Sequence, residues 1–178
     1  GYSALLVRRD LTMLELPGGL LDVARDWLRP FTAAGEVKYG SNLHQFRFPR
    51  GAALTFGYLA CDADMDRYAG ARFEFVGIDE SPQIPERRCL FLFSRLRRTV
   101  GSTIPPRFYR AGNPGGPGHE AHKRRYVDPS TRAPGVVYIP ARLSDNPHLD
   151  RLAYEASLAK LDPVTRARIL SGDWDAEY

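Results

Sequence analysis

One stretch limits the possible folds of this chain more than any other: residues 73–80, which read Phe-Glu-Phe-Val-Gly-Ile-Asp-Glu. Its aromatic and β-branched residues predict a short, covered β-strand, and the strand ends in two carboxylates, Asp79 and Glu80. In open α/β sheets, ligands bind at the carboxyl ends of the strands. An Asp-Glu pair at that edge can hold a hydrated Mg²⁺ ion and orient a water molecule, which is the arrangement of a Walker B element.

Two other interpretations of the acidic pair remain open from the residues alone. In the first, the strand ends in a solvated acidic turn. In the second, the pair belongs to the metal site of a nuclease, which needs further carboxylates. The chain offers four of them nearby: Asp62, Asp64, Asp66 and Glu74. However, residues 62–66 resemble the start of a solvated helix, and Glu74 falls inside the predicted buried strand.

The composition is that of an ordinary globular domain. With 178 residues, of which 43% are hydrophobic, the chain can bury a sizeable core within one domain. Its net charge of +4 permits contact with a polyanion without requiring it. Cys61 and Cys89 form neither a disulfide framework nor a zinc pattern, which favours a reducing compartment. His119 and His122 lie three residues apart, and we expect a solvated helix face there rather than a metal site.

The hydrophobic pattern predicts strands that alternate with helices, which indicates an α/β fold with a mainly parallel sheet. Strands are predicted within residues 1–9 and at 36–39, 44–48, 53–58, 73–78, 108–111 and 136–139. Helices are predicted at 11–34, with an interruption at 17–19, and at 62–68, 86–98, 120–126, 150–161 and 163–171. The first helical stretch has a stripe that we expect to be buried, formed by Leu20, Leu21, Ala24, Trp27 and Leu28.

A second feature with possible chemistry is the glycine-rich segment 112–118, Gly-Asn-Pro-Gly-Gly-Pro-Gly. Its glycines allow the backbone to approach a ligand closely, but a phosphate loop needs Gly-Lys followed by Ser or Thr, and here His119 follows Gly118. We expect Asn113 to follow a strand that neighbours the one carrying Asp79 and Glu80. Its amide could then sense a γ-phosphate or an attacking water, although an ordinary Asn-Pro turn explains the same residues.

Several segments resemble one protein family, the large terminase subunits of tailed bacteriophages, whose amino-terminal domain is the ATPase that drives DNA into a capsid. The resemblance extends over nearly the whole chain. It rests on FVGIDES at 75–81, LFLFSRLR at 90–97, AGNPGG at 111–116, IPARLSDNP at 139–147, and LDPVTR with LSGDW at 161–166 and 170–174.

This resemblance implies a fold and a set of site residues. The fold would be that of the additional-strand catalytic-glutamate class of P-loop NTPases, α/β with a mainly parallel sheet flanked by helices and incomplete at the amino terminus. Asp79 would be the Walker B residue that holds Mg²⁺ through water, Glu80 the general base, and Asn113 part of the coupling motif. Such motors also need an arginine finger, because charge develops on the phosphoryl oxygens. The candidates are Arg67, Arg72 and Arg95.

The resemblance also implies cofactors, partners and a location. The cofactors would be ATP and Mg²⁺. The partners would be double-stranded DNA, the portal protein and the small terminase subunit, with the protein itself in a homo-oligomeric ring on the capsid and no membrane involved. The location would be the cytoplasm of the host bacterium, with the gene carried by a phage or prophage.

We expect the chain to be the later part of such an ATPase, because the family's phosphate loop would precede Gly1 and its nuclease domain would follow Tyr178. Residues 1–149 would be a partial ATPase core, and 150–178 would be helices that lead to the linker toward the nuclease domain. On that basis the isolated chain should not hydrolyse ATP appreciably. The alternative is a non-catalytic DNA-binding or capsid-assembly module with the same fold, and a Gly-Lys-Ser/Thr segment upstream would favour the motor.

Overall fold

A computed structural model describes residues 1–176. Its centre is a six-stranded sheet with the strand order β2-β3-β4-β1-β5-β6. The strands are β1 (Ser3–Arg8), β2 (Lys38–Gly40), β3 (Gln45–Arg47), β4 (Ala53–Tyr58), β5 (Phe75–Ile78) and β6 (Arg107–Arg110).

The sheet has a parallel half and an antiparallel half. β1 lies between β4 and β5 and runs parallel to both, and β5 runs parallel to β6. β2, β3 and β4 form an antiparallel meander with short connections. The predicted α/β sheet is therefore confirmed, and the predicted neighbours β5 and β6 do pair.

Helices cover the sheet and continue beyond it. The α-helices are α1 (Leu11–Glu15), α2 (Leu20–Ala33), α3 (Glu86–Phe93), α4 (His119–His122), α5 (Arg151–Leu158) and α6 (Pro163–Ser171). A 3₁₀ segment at Asp62–Tyr68 replaces the α-helix predicted there, and a π-helical turn at Lys123–Val127 extends α4. Among the described residues, every helix is too short or too polar to cross a membrane.

Both faces of the central strand are covered, which explains why β1 is apolar throughout. Leu5 and Val7 are fully buried in one cluster, which also contains Val76 and Ile78 of β5. On the opposite face, Leu6 packs against a second cluster beneath α1 and α2. The core of that second cluster consists of Leu14, Leu21, Val37, Phe46 and Phe56.

The third helix is shorter than the sequence predicted, since it ends at Phe93 rather than at residue 98. The backbone of the next residues pairs elsewhere: the Phe73 amide donates to the Arg95 carbonyl at 3.0 Å, and the Arg97 amide donates to the Phe73 carbonyl at 2.9 Å. Residues 95–97 thus form a short bridge beside the start of β5, although their side chains suit a helix.

Two further predictions were wrong. Residues 136–139 form no strand, and Val137 and Ile139 are each 79% exposed, because no described strand lies beside them to pair with their backbone. Trp27 is 77% exposed rather than part of the buried stripe of α2. The covered face of that helix follows Leu21, Ala24 and Leu28, and Trp27 lies one residue, about 100° of helix rotation, away from Leu28.

Candidate active site

The carboxyl ends of four parallel strands meet at one edge of the sheet. The register pairs Arg8 of β1 with Tyr58 of β4, and Ile78 of β5 with Arg110 of β6. Asp79 and Glu80 therefore leave β5 between Arg8 on one side and the loop after β6 on the other. This edge is where α/β sheets bind ligands, so the predicted position of the acidic pair fits the fold.

Asp79 is paired with an arginine that sequence reasoning did not select. The Arg8 Nε donates to Asp79 Oδ2 at 2.7 Å, and Arg8 Nη1 donates to the Met13 carbonyl at 2.9 Å. Both side chains of the pair are largely buried, with 21% and 25% of their surface exposed. The position of Arg8 at the end of the apolar strand β1 places it at this edge of the sheet, but the sequence does not identify Asp79 as its partner.

Glu80 occupies a sharp backbone turn. Its φ of 50° and ψ of 39° lie in the left-handed region, which is uncommon for residues other than glycine. The turn is held by the Ser81 amide, which donates to the Ala111 carbonyl at 2.8 Å, and by the Gln83 amide, which donates to the Glu80 carbonyl at 2.9 Å. Such strained residues are frequent at functional sites, where the surrounding structure holds them in place.

The surroundings of Glu80 raise the pKa of its carboxyl group above the ordinary value. Burial is the largest cause, and the negative charge of Asp79 adds to it. The positive charge of Arg8 and a hydrogen bond from the Asn113 backbone amide act in the opposite direction. A carboxylate with a raised pKa is a better proton acceptor, which is the property that a general base requires.

The glycine-rich loop packs directly on this turn. Gly112 has a φ of 146°, and a Cβ atom there would lie 2.5 Å from Pro82 Cδ and 3.1 Å from Glu80 Cα. Only glycine fits that space, and the next residue, Asn113, has its backbone amide near enough to the Glu80 carboxylate to lower the pKa of that group. The structure thus brings together Asp79, Glu80 and Asn113.

The three arginine-finger candidates lie in different places. Arg67 lies on the 3₁₀ segment that follows β4, where its guanidinium stacks 4.7 Å from the Tyr58 ring centroid. Arg72 and Arg95 lie at the opposite edge of the sheet, near the start of β5, and Arg95 Nη1 donates to the Ala69 carbonyl. Within one molecule, Arg67 is therefore the candidate on the same edge as Asp79.

The additional carboxylates of the nuclease interpretation do not converge on the acidic pair. Glu74 lies at the other end of the strand and accepts from the Ser3 amide at 3.1 Å. Asp62 pairs with Arg87 and Arg88, and Asp64 accepts from the Cys61 amide at 2.9 Å. Within residues 1–176, no group of three or more His, Cys, Asp or Glu side chains is placed to hold a metal ion.

The site nevertheless suits magnesium in one specific way. Mg²⁺ keeps most of its water and binds through one or two carboxylates together with substrate phosphates. Asp79, at a strand end beside Glu80, offers one such carboxylate. Arg8 now donates to this carboxylate, so a bound Mg²⁺ would either bind beside the Arg8 guanidinium or displace it from the Asp79 oxygens.

His122 was wrongly expected on a solvated helix face, because it is 5% exposed. Its Nδ1 lies 3.2 Å from Ser81 Oγ, and its ring stacks on Trp174. Burial, together with the positive charge of Arg110, lowers the pKa of His122 to about 3. Sequence spacing gave no signal for this contact, which joins residues 41 positions apart.

Comparison with solved structures identifies the fold. The large terminase of a thermophilic bacteriophage matches with a TM-score of 0.69 and 17% identity over 97% of this chain. The same terminase in complex with ADP and with ATP-γ-S matches with TM-scores of 0.65 and 0.63, each at 16% identity. The ATPase domain of the Thermus phage P74-26 large terminase matches with a TM-score of 0.58 and 10% identity over 98% of this chain.

These matches confirm that the chain has the fold of a large-terminase ATPase domain, as the sequence predicted. The chain spans 41% of the first of these terminase chains and 77% of the P74-26 ATPase-domain chain. No protein-family model and no curated protein matches the sequence. At such low identity, the likeness concerns the fold, and the roles of individual residues have to be argued from the site itself.

Proposed function

We propose that this chain is part of the ATPase of a viral DNA-packaging motor, a terminase large subunit that hydrolyses ATP to move double-stranded DNA into a procapsid. The observation that supports this most is the acidic pair at the end of β5, with Glu80 held in a strained turn and contacted by the backbone of Asn113. The fold is shared with terminase structures that bind ADP and ATP-γ-S, which supports a nucleotide as the ligand.

In this proposal Glu80 is the general base. It accepts a proton from a water molecule as the water oxygen attacks the γ-phosphorus. The bond between the γ-phosphorus and the oxygen that bridges it to the β-phosphate then breaks, and ADP leaves with that oxygen. The raised pKa of Glu80 brings its proton affinity closer to that of the water being activated. The strained backbone fixes the direction of the carboxylate, which a flexible loop would not do.

Asp79 and Asn113 have supporting roles in the same proposal. Asp79 would hold Mg²⁺ through water, and the bound ion would supply positive charge to the phosphate groups. Arg8 keeps the Asp79 carboxylate oriented and partly neutralised in the absence of the ion. Asn113 would link the state of the nucleotide to the glycine-rich loop, because its backbone amide lies near the Glu80 carboxylate and lowers the pKa of that group.

A cation for the transition state is a further requirement. Arg67, Arg72 and Arg95 remain the candidates for an arginine finger. If the finger comes from the same molecule, Arg67 is favoured by its position on the site's edge of the sheet. If it comes from a neighbour in a ring, the two arginines at the opposite edge are also candidates. Arg72 is exposed, whereas Arg95 is half-buried and donates to the Ala69 carbonyl.

The partners and location follow from the same proposal. They are double-stranded DNA, the portal protein, the small terminase subunit and further copies of the protein in a ring, in the cytoplasm of the host.

None of the three lysines follows a glycine, so the chain contains no Gly-Lys-Ser/Thr phosphate loop. We therefore expect the parent protein to supply that loop and this chain alone to have no appreciable ATP turnover.

The proposal is tested by ATP turnover of the parent protein. Glu80→Gln should lower kcat by at least about 100-fold, because the amide cannot accept the proton. The matched control is Glu36→Gln, which makes the same change at an exposed carboxylate and should leave kcat unchanged. An unchanged kcat in Glu80→Gln would contradict the assignment, and ATP turnover by this chain alone that Glu80→Gln abolishes would contradict the need for a separate phosphate loop.

A further inference from the structure

A buried polar contact connects the candidate active site to the far end of the chain. Ser81, which directly follows Glu80, is fully buried, and its Oγ lies 3.2 Å from His122 Nδ1. The proposed chemistry uses neither side chain. A buried pair of this kind is costly unless both groups are satisfied, so its position beside the general base calls for an explanation.

Trp174, near the carboxyl end of the chain, packs against His122 of this contact. The planes of the Trp174 and His122 rings differ by 9°, and their centroids are 4.8 Å apart. The planes of the Trp174 and His119 rings differ by 25°, and their centroids are 5.2 Å apart. Trp174 is 6% exposed, and its Nε1 donates to the Tyr138 hydroxyl at 3.2 Å. Residues near the end of the chain are thus packed against both histidines of α4.

The second histidine holds the glycine-rich loop. The Gly115 amide donates to His119 Nδ1 at 2.9 Å, so this nitrogen is an acceptor. The Gly118 amide donates to the Pro82 carbonyl at 2.8 Å, which ties the end of the loop to the turn after Glu80. One histidine therefore contacts the turn and the other contacts the loop, and Trp174 stacks on both.

We propose that His122 and Trp174 are positioning residues of the active site. They hold the Glu80 turn and the Asn113 loop in fixed positions relative to each other, and they connect both to the segment 172–176. His122 fixes Ser81 through a hydrogen bond, and Trp174 keeps the two histidine rings in place. The catalytic part of this inference rests on the proposed function. The positioning part depends only on the contacts within the chain.

The positioning part is tested on this chain without nucleotide. Trp174→Ala should increase amide hydrogen exchange at Ser81 and Gly115 by about tenfold or more, since both amides lie in contacts that Trp174 supports. Trp27→Ala removes the same side chain from an exposed site and should leave both amides unchanged. Unchanged exchange at both amides in a folded Trp174→Ala would overturn the inference.

If Trp174→Ala does not fold, the milder change Trp174→Phe keeps an aromatic ring but loses the hydrogen bond to Tyr138 and part of the stack. It should then produce a smaller increase at the same two amides. The absence of any increase in that folded variant would also overturn the inference.

The catalytic part is tested in the parent protein with two variants of one residue. His122→Phe keeps a flat ring against Trp174 and removes the bond to Ser81, and should lower kcat about fivefold with little change in KM. His122→Asn places an amide where Nδ1 lies and should restore most of kcat. Equal kcat in wild type and His122→Phe would overturn the catalytic part. A wild-type parent without ATP turnover would instead refute the proposed function, and hydrogen exchange in this chain would still decide the positioning part.

Discussion

At the scale of the single residue, burial changes the acid–base chemistry of His122. Its pKa falls from the ordinary 6.5 to about 3, because burial disfavours the charged ring and Arg110 and His119 add positive charge nearby. The folded protein therefore holds a neutral ring at every pH above about 3, whereas the unfolded chain takes up a proton below about 6.5.

This difference predicts an acid-sensitive stability. Because the unfolded state binds more protons between pH 6.5 and 3, the free energy of unfolding should fall as the pH is lowered through that window, by at most about 1.4 kcal/mol per pH unit. Above pH 6.5 the contribution is complete. Urea denaturation at pH 7 and pH 5 measures the effect.

Two variants assign that pH dependence to a residue. His122→Phe should flatten the decline between pH 7 and pH 5, since the group that titrates on unfolding is gone. His148→Phe removes an exposed histidine and should keep the wild-type decline. A decline that is equally steep in His122→Phe would contradict the assignment of this pH dependence to His122.

At the scale of the element, the fit of the glycine-rich loop against the Glu80 turn gives a second prediction. Gly112→Ala should lower the free energy of unfolding by about 1–3 kcal/mol, because the added Cβ would meet Pro82 and the φ of 146° disfavours alanine. Gly70→Ala is the matched control, since a Cβ there meets nothing within 4 Å and no positive φ is involved.

The measurement is urea denaturation of both variants, together with the amide chemical shift of Asn113. The shift should move in Gly112→Ala, because the loop has to leave its position against the turn. Equal stability of the two variants, with an unmoved Asn113 amide, would contradict this tight packing of the loop.

The elements that the sequence predicted correctly are those whose signal is local. β5 and the helix α6 were predicted from an apolar run and from a proline at the first helical position, and both were confirmed. The 3₁₀ geometry of residues 62–68 was not predicted. Nor was the early end of α3, beyond which the Arg95 carbonyl pairs with the Phe73 amide from 22 positions away. Local propensity contains no information on such a partner.

The candidate site, like the helices and strands, was predictable only where the signal is local in the sequence. Asp79, Glu80 and Asn113 were predicted because they follow strands, and alternation with helices predicts parallel strands whose carboxyl ends lie at one edge of the sheet. Arg8 and His122 were missed for a different reason. Their importance lies in contacts with Asp79 and Ser81 across 71 and 41 positions, and an arginine or histidine in the sequence does not reveal its partner.

At the scale of the whole molecule, β1 holds the two halves of the core together. Leu5 is fully buried in one core cluster, while its neighbour Leu6 packs against the other. Leu5→Ala should therefore lower the free energy of unfolding by about 2–5 kcal/mol, as is usual for a large cavity in a core. Leu152→Ala, at a residue that is 81% exposed, should change it by less than about 0.5 kcal/mol.

Denaturation followed by fluorescence of Trp27 and Trp174 tests this prediction. Trp27 is on α2, which covers the second cluster, and Trp174 packs on α4. If β1 joins both clusters, Leu5→Ala should shift the unfolding of both signals together. Separate transitions in the variant would show that the two halves unfold independently.

The position of β6 in the strand order has a practical consequence. Among the described residues, β6 pairs with β5 alone, so its outer side presents unpaired backbone groups, and Tyr109 stands 51% exposed beside them. Such a border is a template onto which an extended segment of another polypeptide can add. The strand is only four residues long and begins with the exposed Arg107, two features that discourage such addition. The short length and the charge of β6 should therefore limit the addition of a further strand at this border.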